Sequence, residues 1–366
     1  MRRLEALTWV MTVCADLRLS QAKTLAHLVA AALGVGRVSL AALGRQLAGD
    51  SSAKHKIKRA WRFTSNRRVT VSDAMRGVIA RLCKRHKKKP LLVSLDWTDI
   101  RSFQTLMAAA VIGGRAVPLL WASYAKWELF KSRNALEEGL LHLLRTLIPE
   151  SVPVVLLADR GFGRVEMARA CVNFRFHYLI RIKPDAWVEH PTYRGKLKNY
   201  PVAKGMRRVL KAVRHRKSRP VTHNIVVRWK PGLPAKRDEP WYLMTDLGGT
   251  ALQLTALYGK RMTAEELFRD GKSRRNGFAL RLVQVKEPRR LDRLLLIVAL
   301  AYLLLVGLGL VARREQRPGF WCSSNDEKQC SAFTIGRAVL DRLRITAAAA
   351  ILAVSQAIAE AAPNWG

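Results

Sequence analysis

VPVVLLADRGFG (152–163) is an unbroken apolar run that stops at an acid, a cation and a glycine. A strand with one face in water alternates apolar and polar residues, whereas one covered on both faces does not. This run therefore reads as an interior strand, with Asp159 standing where it leaves the sheet. That edge is where α/β proteins bind ligands. Upstream, LLVSLDW (91–97) repeats the pattern and ends in Asp96. Asp99 falls in what reads as the turn after this strand, which ranks it below Asp96. A lone acid at a strand end often only caps the next turn. Two in one domain raise a second reading, a carboxylate pair for a hard divalent cation such as Mg²⁺.

Around these strands the periodicity changes several times. SFQTLMAAAVIGGRAVPLLWASY (102–124) reads as two strands joined at Gly113-Gly114, a hairpin signal. NALEEGLLHLLRTLIP (134–149) has helical spacing, VEMARACVNF (165–174) is helical, and FHYLIRIKP (176–184) is another strand. Strand, hairpin, helix, strand, helix, strand predicts an α/β fold, a mixed sheet with helices packed on it. Residues 184–245 are rich in turn residues and contain strand-like pieces such as NIVVRW (224–229), so they read as a β-rich insertion. PWYLMTDL (240–247) looks like one more strand, and helix returns from Thr250 through Asp270.

The first ninety residues read as helices. Leu4, Leu7, Val10, Met11, Cys14 and Leu17 recur at helical spacing. Ser20 is expected to cap the helix through Leu33, Gly34-Val35-Gly36 breaks it, and Ser39 is expected to cap a short helix running to Leu47. Two helices about a glycine turn are a generic helix-turn-helix signal.

The 366 residues carry 65 Lys+Arg against 27 Asp+Glu, a net charge of +38, with 49% hydrophobic and 25% charged residues. The last two values are globular and exclude a disordered or collagen-like chain. The charge points to a polyanion, nucleic acid ahead of an anionic membrane. The cations also cluster. Residues 54–89 hold 14 Lys/Arg and one acid, Asp73, and KIKRAWRF (56–63) brings Lys58, Arg59 and Arg62 near one another on a helix, with Trp61 and Phe63 between them. A solvated helix face is the bland reading; this density of charge favours a DNA backbone. Residues 181–230 hold 15 cations against Asp185 and Glu189, so the insertion is expected to present a cationic face.

Five cysteines (14, 83, 171, 322 and 330) form no CxxC pair and no zinc-ligand cluster, which reads as a reduced cytoplasmic chain. Cys322 and Cys330 flank SSNDEKQ, read as a loop with no assigned role. None of the eight histidines has ligand spacing, and His142, in an apolar helix, reads as core. Glu5 and Asp16 interrupt the apolar N-terminus, and no small-residue cleavage site follows, so it does not read as a signal peptide. Leu294–Ala312 is 19 residues without a charge, long enough to span a bilayer. However, Arg289, Arg290 and Arg293 precede it and Arg313 and Arg314 follow it, with no positive-inside asymmetry. A buried core helix is the preferred reading and a membrane span its rival.

The most specific signal is YGKRMTAEELFRDGK (258–272). Tyr258, Arg261, Glu265 and Lys272 stand at offsets 0, 3, 7 and 14. At about 100° per residue they share an arc of about 60° on one helix face, while Glu266 falls off it. A carboxylate between two cations and a phenol suits a metal with a phosphate held beside it.

The pattern Y-x2-R-x3-E-x6-K, following Asp96 and Asp159 in that order, resembles the signature of DDE transposases of the insertion-sequence-four family. LDWTD, LADRGFG, FHYLIRIKP and WYLMTDL resemble the strands of that family's ribonuclease-H-like core, over about 90–290. The resemblance implies a metal-binding catalytic triad of Asp96, Asp159 and Glu265 holding two Mg²⁺ ions, for which Mn²⁺ can substitute. It implies phosphate contacts by Tyr258, Arg261 and Lys272, and DNA contacts by Arg160, Arg181 and Lys183. Trp241 matches the position at which some relatives stack a flipped base. The 106 residues between Asp159 and Glu265 suit the β-rich insertion of this branch; Gly161 departs from the family's further acids.

The expected organisation is a helical basic DNA-binding domain (1–89), a ribonuclease-H-like catalytic core (90–312) with its β-rich insertion (184–245), and a helical C-terminal region (313–366), a candidate for dimerisation. The expected partners are double-stranded DNA and a second copy in a synaptic complex, with no membrane, in a bacterial cytoplasm and associated with the nucleoid. Two rivals stay open: a ribonuclease-H-like nuclease without strand transfer, and a basic membrane or DNA-binding protein.

Overall fold

The structure, a computed structural model, describes residues 3–84, 86, 89–130, 132–232, 238–275, 277–315, 321, 330–342 and 344–363. Cys322 and the loop expected after it lie outside the described residues. Ten strands form one sheet: β1 (Leu91–Ile100), β2 (Phe103–Ile112), β3 (Arg115–Ala125), β4 (Val154–Ala158), β5 (Phe176–Arg181), β6 (Trp187–His190), β7 (Tyr193–Lys196), β8 (Arg207–His215), β9 (Val221–Arg228) and β10 (Trp241–Thr245). Their order is β3-β2-β1-β4-β5-β10-β9-β8-β6-β7. β1, β2 and β3 make an antiparallel meander, and β4 and β5 join it parallel to β1. This is the ribonuclease-H-like mixed α/β sheet that the strand pattern and the resemblance led us to expect. The β2–β3 hairpin turns at Gly113-Gly114, with Gly114 at a φ of +74° that favours glycine. The insertion is β-rich as expected, but its strands do not form a separate sheet. β10 pairs antiparallel with β5, and β9, β8, β6 and β7 extend outward from it.

Helices α1 (Arg3–Val13), α2 (Leu19–Leu33), α3 (Leu40–Arg45), α4 (Ala53–Ser65) and α5 (Val71–Cys83) precede the sheet. Ser39 caps α3, its hydroxyl accepting the Ala42 N–H at 3.1 Å. Ser20 does not cap α2, which begins one residue earlier. Arg18 takes the cap position, and the Gln21 side chain reaches back to accept the Arg18 N–H at 3.1 Å. Helix α6 (Arg133–Leu147) links β3 to β4, and α7 (Val165–Asn173) links β4 to β5. His142 is not core: it is exposed on α6, with its ring 5.5 Å from Phe174. The buried histidines are His86, His215 and His223.

Helices α8 (Ala251–Gly259), α9 (Thr263–Lys272), α10 (Pro288–Glu315), α11 (Ala332–Val339) and α12 (Ala347–Ala361) complete the described elements. By length and composition α10 could cross a membrane, yet 94% of its apolar window is buried inside the protein. It packs on α11, α12, α2 and β3. At Gly309 the approach is so close that a Cβ would stand 1.7 Å from the Ala332 carbonyl oxygen. Arg293, buried within α10, donates to the carbonyls of Thr64, Val69 and Arg289, which satisfies a charge that could not otherwise be buried. Its neighbour Asp292 accepts the Ser123 N–H at 2.9 Å and so ties α10 to β3.

Candidate active site

Register brings the two strand acids together. Leu91 to Leu95 on β1 pair with Val154 to Ala158 on β4, so the next residues on the two parallel strands, Asp96 and Asp159, stand side by side. Asp159 follows β4 directly, as its sequence suggests. Asp96, by contrast, does not end β1, which continues to Ile100 against β2. Asp99 is therefore in the strand and not in a turn. It is exposed, accepts from Gln104 at 3.1 Å and pairs with Lys126 at 3.5 Å. The Asp159 carboxylate accepts the Gly161 N–H at 2.8 Å, and a Cβ at Gly161 would lie 3.0 Å from that oxygen.

The signature segment is not one uniform helix. α8 ends at Gly259, a 3-10 turn covers Lys260–Met262, and α9 begins at Thr263. Backbone angles stay right-handed through the junction (φ −55°, ψ −27° at Gly259), so the helix tightens without breaking. Arg261 and Glu265 still meet. One guanidinium nitrogen of Arg261 lies 3.0 Å from Glu265 Oε1, and the other 3.1 Å from Asp96 Oδ2. Glu266 turns away to Arg115 at 3.3 Å and Arg269 at 3.0 Å. Lys272 Nζ donates to Thr98 Oγ1 at 2.7 Å, and Thr98 shares its face of β1 with Asp96. Tyr258 is buried edge-on against Trp241, 5.4 Å away at 78°.

Trp241 opens β10, and since Leu243 pairs with Arg181 at the end of β5, the strand starts at this edge and leads away from it. Its ring carries the Arg181 guanidinium at 5.4 Å. Arg181 also pairs with Glu239 at 2.6 Å, and Arg160 reaches the same carboxylate at 3.5 Å. Lys183 is exposed just beyond β5. Lys58, Arg59 and Arg62 lie exposed on α4, and no described contact joins them to the carboxylates. Trp61 is half-exposed with Arg290 over its ring at 4.9 Å, and Phe63 is buried.

Two acids were not legible as site residues. Glu137 on α6, 3% exposed, takes the Trp97 indole N–H at 2.8 Å and an Arg164 nitrogen at 2.5 Å. It thereby fixes the residue whose backbone N–H donates to Asp96 at 2.9 Å. Glu239 was hidden too; its one signal is being an acid beside a cationic insertion.

The family model of the transposase DDE domain matches residues 87–304, more than half of the chain and a span that includes all three carboxylates. The chain belongs to the DDE transposases. A comparison with curated proteins found no match. DDE transposase domains are enzymes that use divalent metal ions, so the electrostatics of the carboxylates in this transposase bear on its chemistry.

Burial pushes the Asp96 carboxyl up to about 6; Arg261 opposes the rise, Asp159 and Glu265 add to it, and the Trp97 N–H lowers it. Burial likewise raises the Tyr258 phenol against the pull of Arg261 and Arg181, and lowers the Lys272 ammonium. Among the described residues no three His, Cys, Asp or Glu are placed to hold one metal ion together. The Arg261 guanidinium instead bridges Asp96 and Glu265. The donor set nonetheless fits a hard divalent cation: it is all carboxylate, and each charge makes the next harder to keep.

Proposed function

We propose that this transposase binds the ends of a DNA element, cuts them and joins them to target DNA by a cut-and-paste route that passes through a hairpin. The observation that carries the proposal is the β1–β4 register that sets Asp96 beside Asp159, with Glu265 joined to Asp96 through Arg261. Asp96, Asp159 and Glu265 would hold two Mg²⁺ ions, or Mn²⁺ in their place. Bound there, the ions supply Lewis acidity and charge neutralisation to in-line phosphoryl transfer. Arg261 and Lys272 then grip phosphates beside the reacting one, with Tyr258 buried behind Arg261. Trp241, with Arg181 on its ring, offers a platform for a base that leaves the stack. Arg160, Arg181, Lys183 and the cationic insertion follow the duplex, and Lys58, Arg59 and Arg62 on α4 contact its backbone.

On this reading residues 1–89 are the DNA-binding unit, 90–312 the catalytic unit with 184–245 as its insertion, and 313–366 the dimerising unit of a homodimeric synaptic complex. The protein works in the bacterial cytoplasm on the nucleoid, away from membranes.

The test uses DNA carrying the inverted repeats that flank the gene. Glu265→Gln should abolish cleavage and leave gel-shift binding intact, whereas Glu266→Gln should cut within a few-fold of wild type. Normal cutting by Glu265→Gln refutes the assignment. Failure of wild type to join a precut end would reduce the activity to that of a nuclease.

A further inference from the structure

Trp127 and Phe130 are each 79% exposed, more than any other large apolar side chain among the described residues. Both stand on the segment that leaves β3, a 3-10 turn at Lys126–Leu129 and the residue after it. The turn is built to hold them outward. Leu129 is buried beneath it, Glu128 Oε2 accepts the Ala125 N–H at 2.7 Å, and the Ser132 hydroxyl donates to the Glu128 carbonyl at 2.5 Å. Exposing two large aromatic rings on a fixed turn forgoes a substantial hydrophobic gain.

Pairing places the turn on the catalytic side of the sheet. Ala125 pairs with Phe103, and Phe103 with Ile100, so β3 ends level with the residue four beyond Asp96. At about 3.3 Å per residue along β1 and about 4.8 Å per strand across, the turn begins about 16 Å from Asp96. With a rise of 3.4 Å per base pair that is about five base pairs along a duplex. The surface between is continuous with the site. The Arg133 guanidinium lies over the Trp97 ring at 5.0 Å, and the Trp97 N–H holds Asp96.

The rim of the patch is cationic, with Lys126, Arg133 and the exposed Arg101 around it, Lys126 being paired with Asp99. On a chain of net charge +38 a second copy would bring like charge to this rim, whereas DNA brings the opposite one. A paired duplex shows a protein its phosphates and base edges but not its base faces. Aromatic rings gain from DNA where bases are unpaired and their flat faces are open.

We propose that Trp127 and Phe130 form a stacking platform for unpaired bases about five base pairs from the reacting phosphate. The proposal rests on the functional reading above, since it takes DNA as the polymer bound at Asp96. It adds a second aromatic site, distinct from Trp241, to the strand-opening step.

The test compares a forked DNA with unpaired thymidine arms and a fully paired duplex of the same length, by fluorescence anisotropy. Wild type should prefer the forked DNA by roughly tenfold or more. The double variant Trp127→Ala/Phe130→Ala should lose that preference and keep its affinity for the paired duplex, with an unchanged melting temperature. An intact preference in the variant, or equal loss on both DNAs, overturns the proposal. So does a shift of the DNA-free protein from dimer to monomer, which would make the patch an interface between copies. Wild type that binds neither DNA would instead refute the functional reading itself.

Discussion

Asp96→Asn should stabilise the metal-free protein at alkaline pH while abolishing cleavage. The Asp96 carboxyl is raised from 3.8 to about 6, with its side chain 16% exposed, so solvent screens it little. That rise of about two units corresponds to about 3 kcal/mol, at about 1.4 kcal/mol per unit. The sign follows from linkage. The folded state holds this proton more tightly than the unfolded state. The associated stability is therefore fully present below pH 4, is lost as pH rises through about 6, and stays lost at pH 8. Asparagine mimics the protonated form at every pH. Its advantage over aspartate should be close to zero below pH 4 and reach about 3 kcal/mol at pH 8. The lost Arg261 contact is already contained in this figure, because the shift is net of it. The assay is thermal unfolding of both proteins in EDTA across this range. For a chain of this length the variant should melt roughly 3 to 6 °C higher at pH 8. Saturating Mn²⁺ should reverse the order, since only wild type keeps all three carboxylates. A variant that melts at or below wild type at pH 8 in EDTA refutes the reasoning.

Arg261→Gln should bind Mn²⁺ more tightly than wild type at pH 8 in the absence of DNA, because in wild type the ion must displace the guanidinium from Asp96 and Glu265. Taking about 1 to 1.5 kcal/mol for each partly buried ion pair, the dissociation constant should fall roughly 30- to 150-fold, as read by electron paramagnetic resonance titration; equal or weaker binding would show that Arg261 does not compete with the ion. Glu239→Gln should tighten duplex binding by roughly three- to tenfold at low salt, since it frees Arg160 and Arg181 from exposed pairs worth at most about 1 kcal/mol each. Weaker binding in a filter assay would mean that Glu239 orients those arginines for DNA.

What the sequence made legible followed short-range physics. Apolar runs located β1 and β4, the Gly-Gly pair located the β2–β3 turn, and helical spacing separated Glu265 from Glu266. The errors have physical causes too. β1 was read as ending at Trp97 because the rule used was that of a strand buried on both faces. Past Asp96, β4 has stopped, and the strand runs on with Thr98 and Ile100 buried and Asp99 exposed. That is the alternation of a strand with one wet face. Ser20 is a better capping residue than Arg18 by type, but the Gln21 side chain fixed the helix start from three positions on. Glu137 carries no local signal, since its burial depends on Trp97 and Arg164, brought from distant segments by the sheet. The joining of the insertion to β5 through β10 is likewise a long-range pairing that no window of sequence contains.

The ion pairs at the site share one logic. A chain with 38 more cations than acids could have left its site arginines free, yet Arg261 is held by Asp96 and Glu265, and Arg181 and Arg160 by Glu239. Each held arginine is a phosphate-binding group kept in place by an acid that a ligand can replace. A cation on the carboxylates frees Arg261 for a phosphate, and a phosphate on Arg261 leaves Asp96 and Glu265 in need of a cation. Such an exchange is reciprocal: the factor by which metal tightens DNA is the factor by which DNA tightens metal. It also favours the full set of ligands over either one alone, because a lone ligand must break internal pairs that the second ligand would otherwise help to replace. The buried Tyr258 and the Glu137–Arg164 pair hold the surrounding frame still, so that this exchange can proceed without moving the strands that carry Asp96 and Asp159.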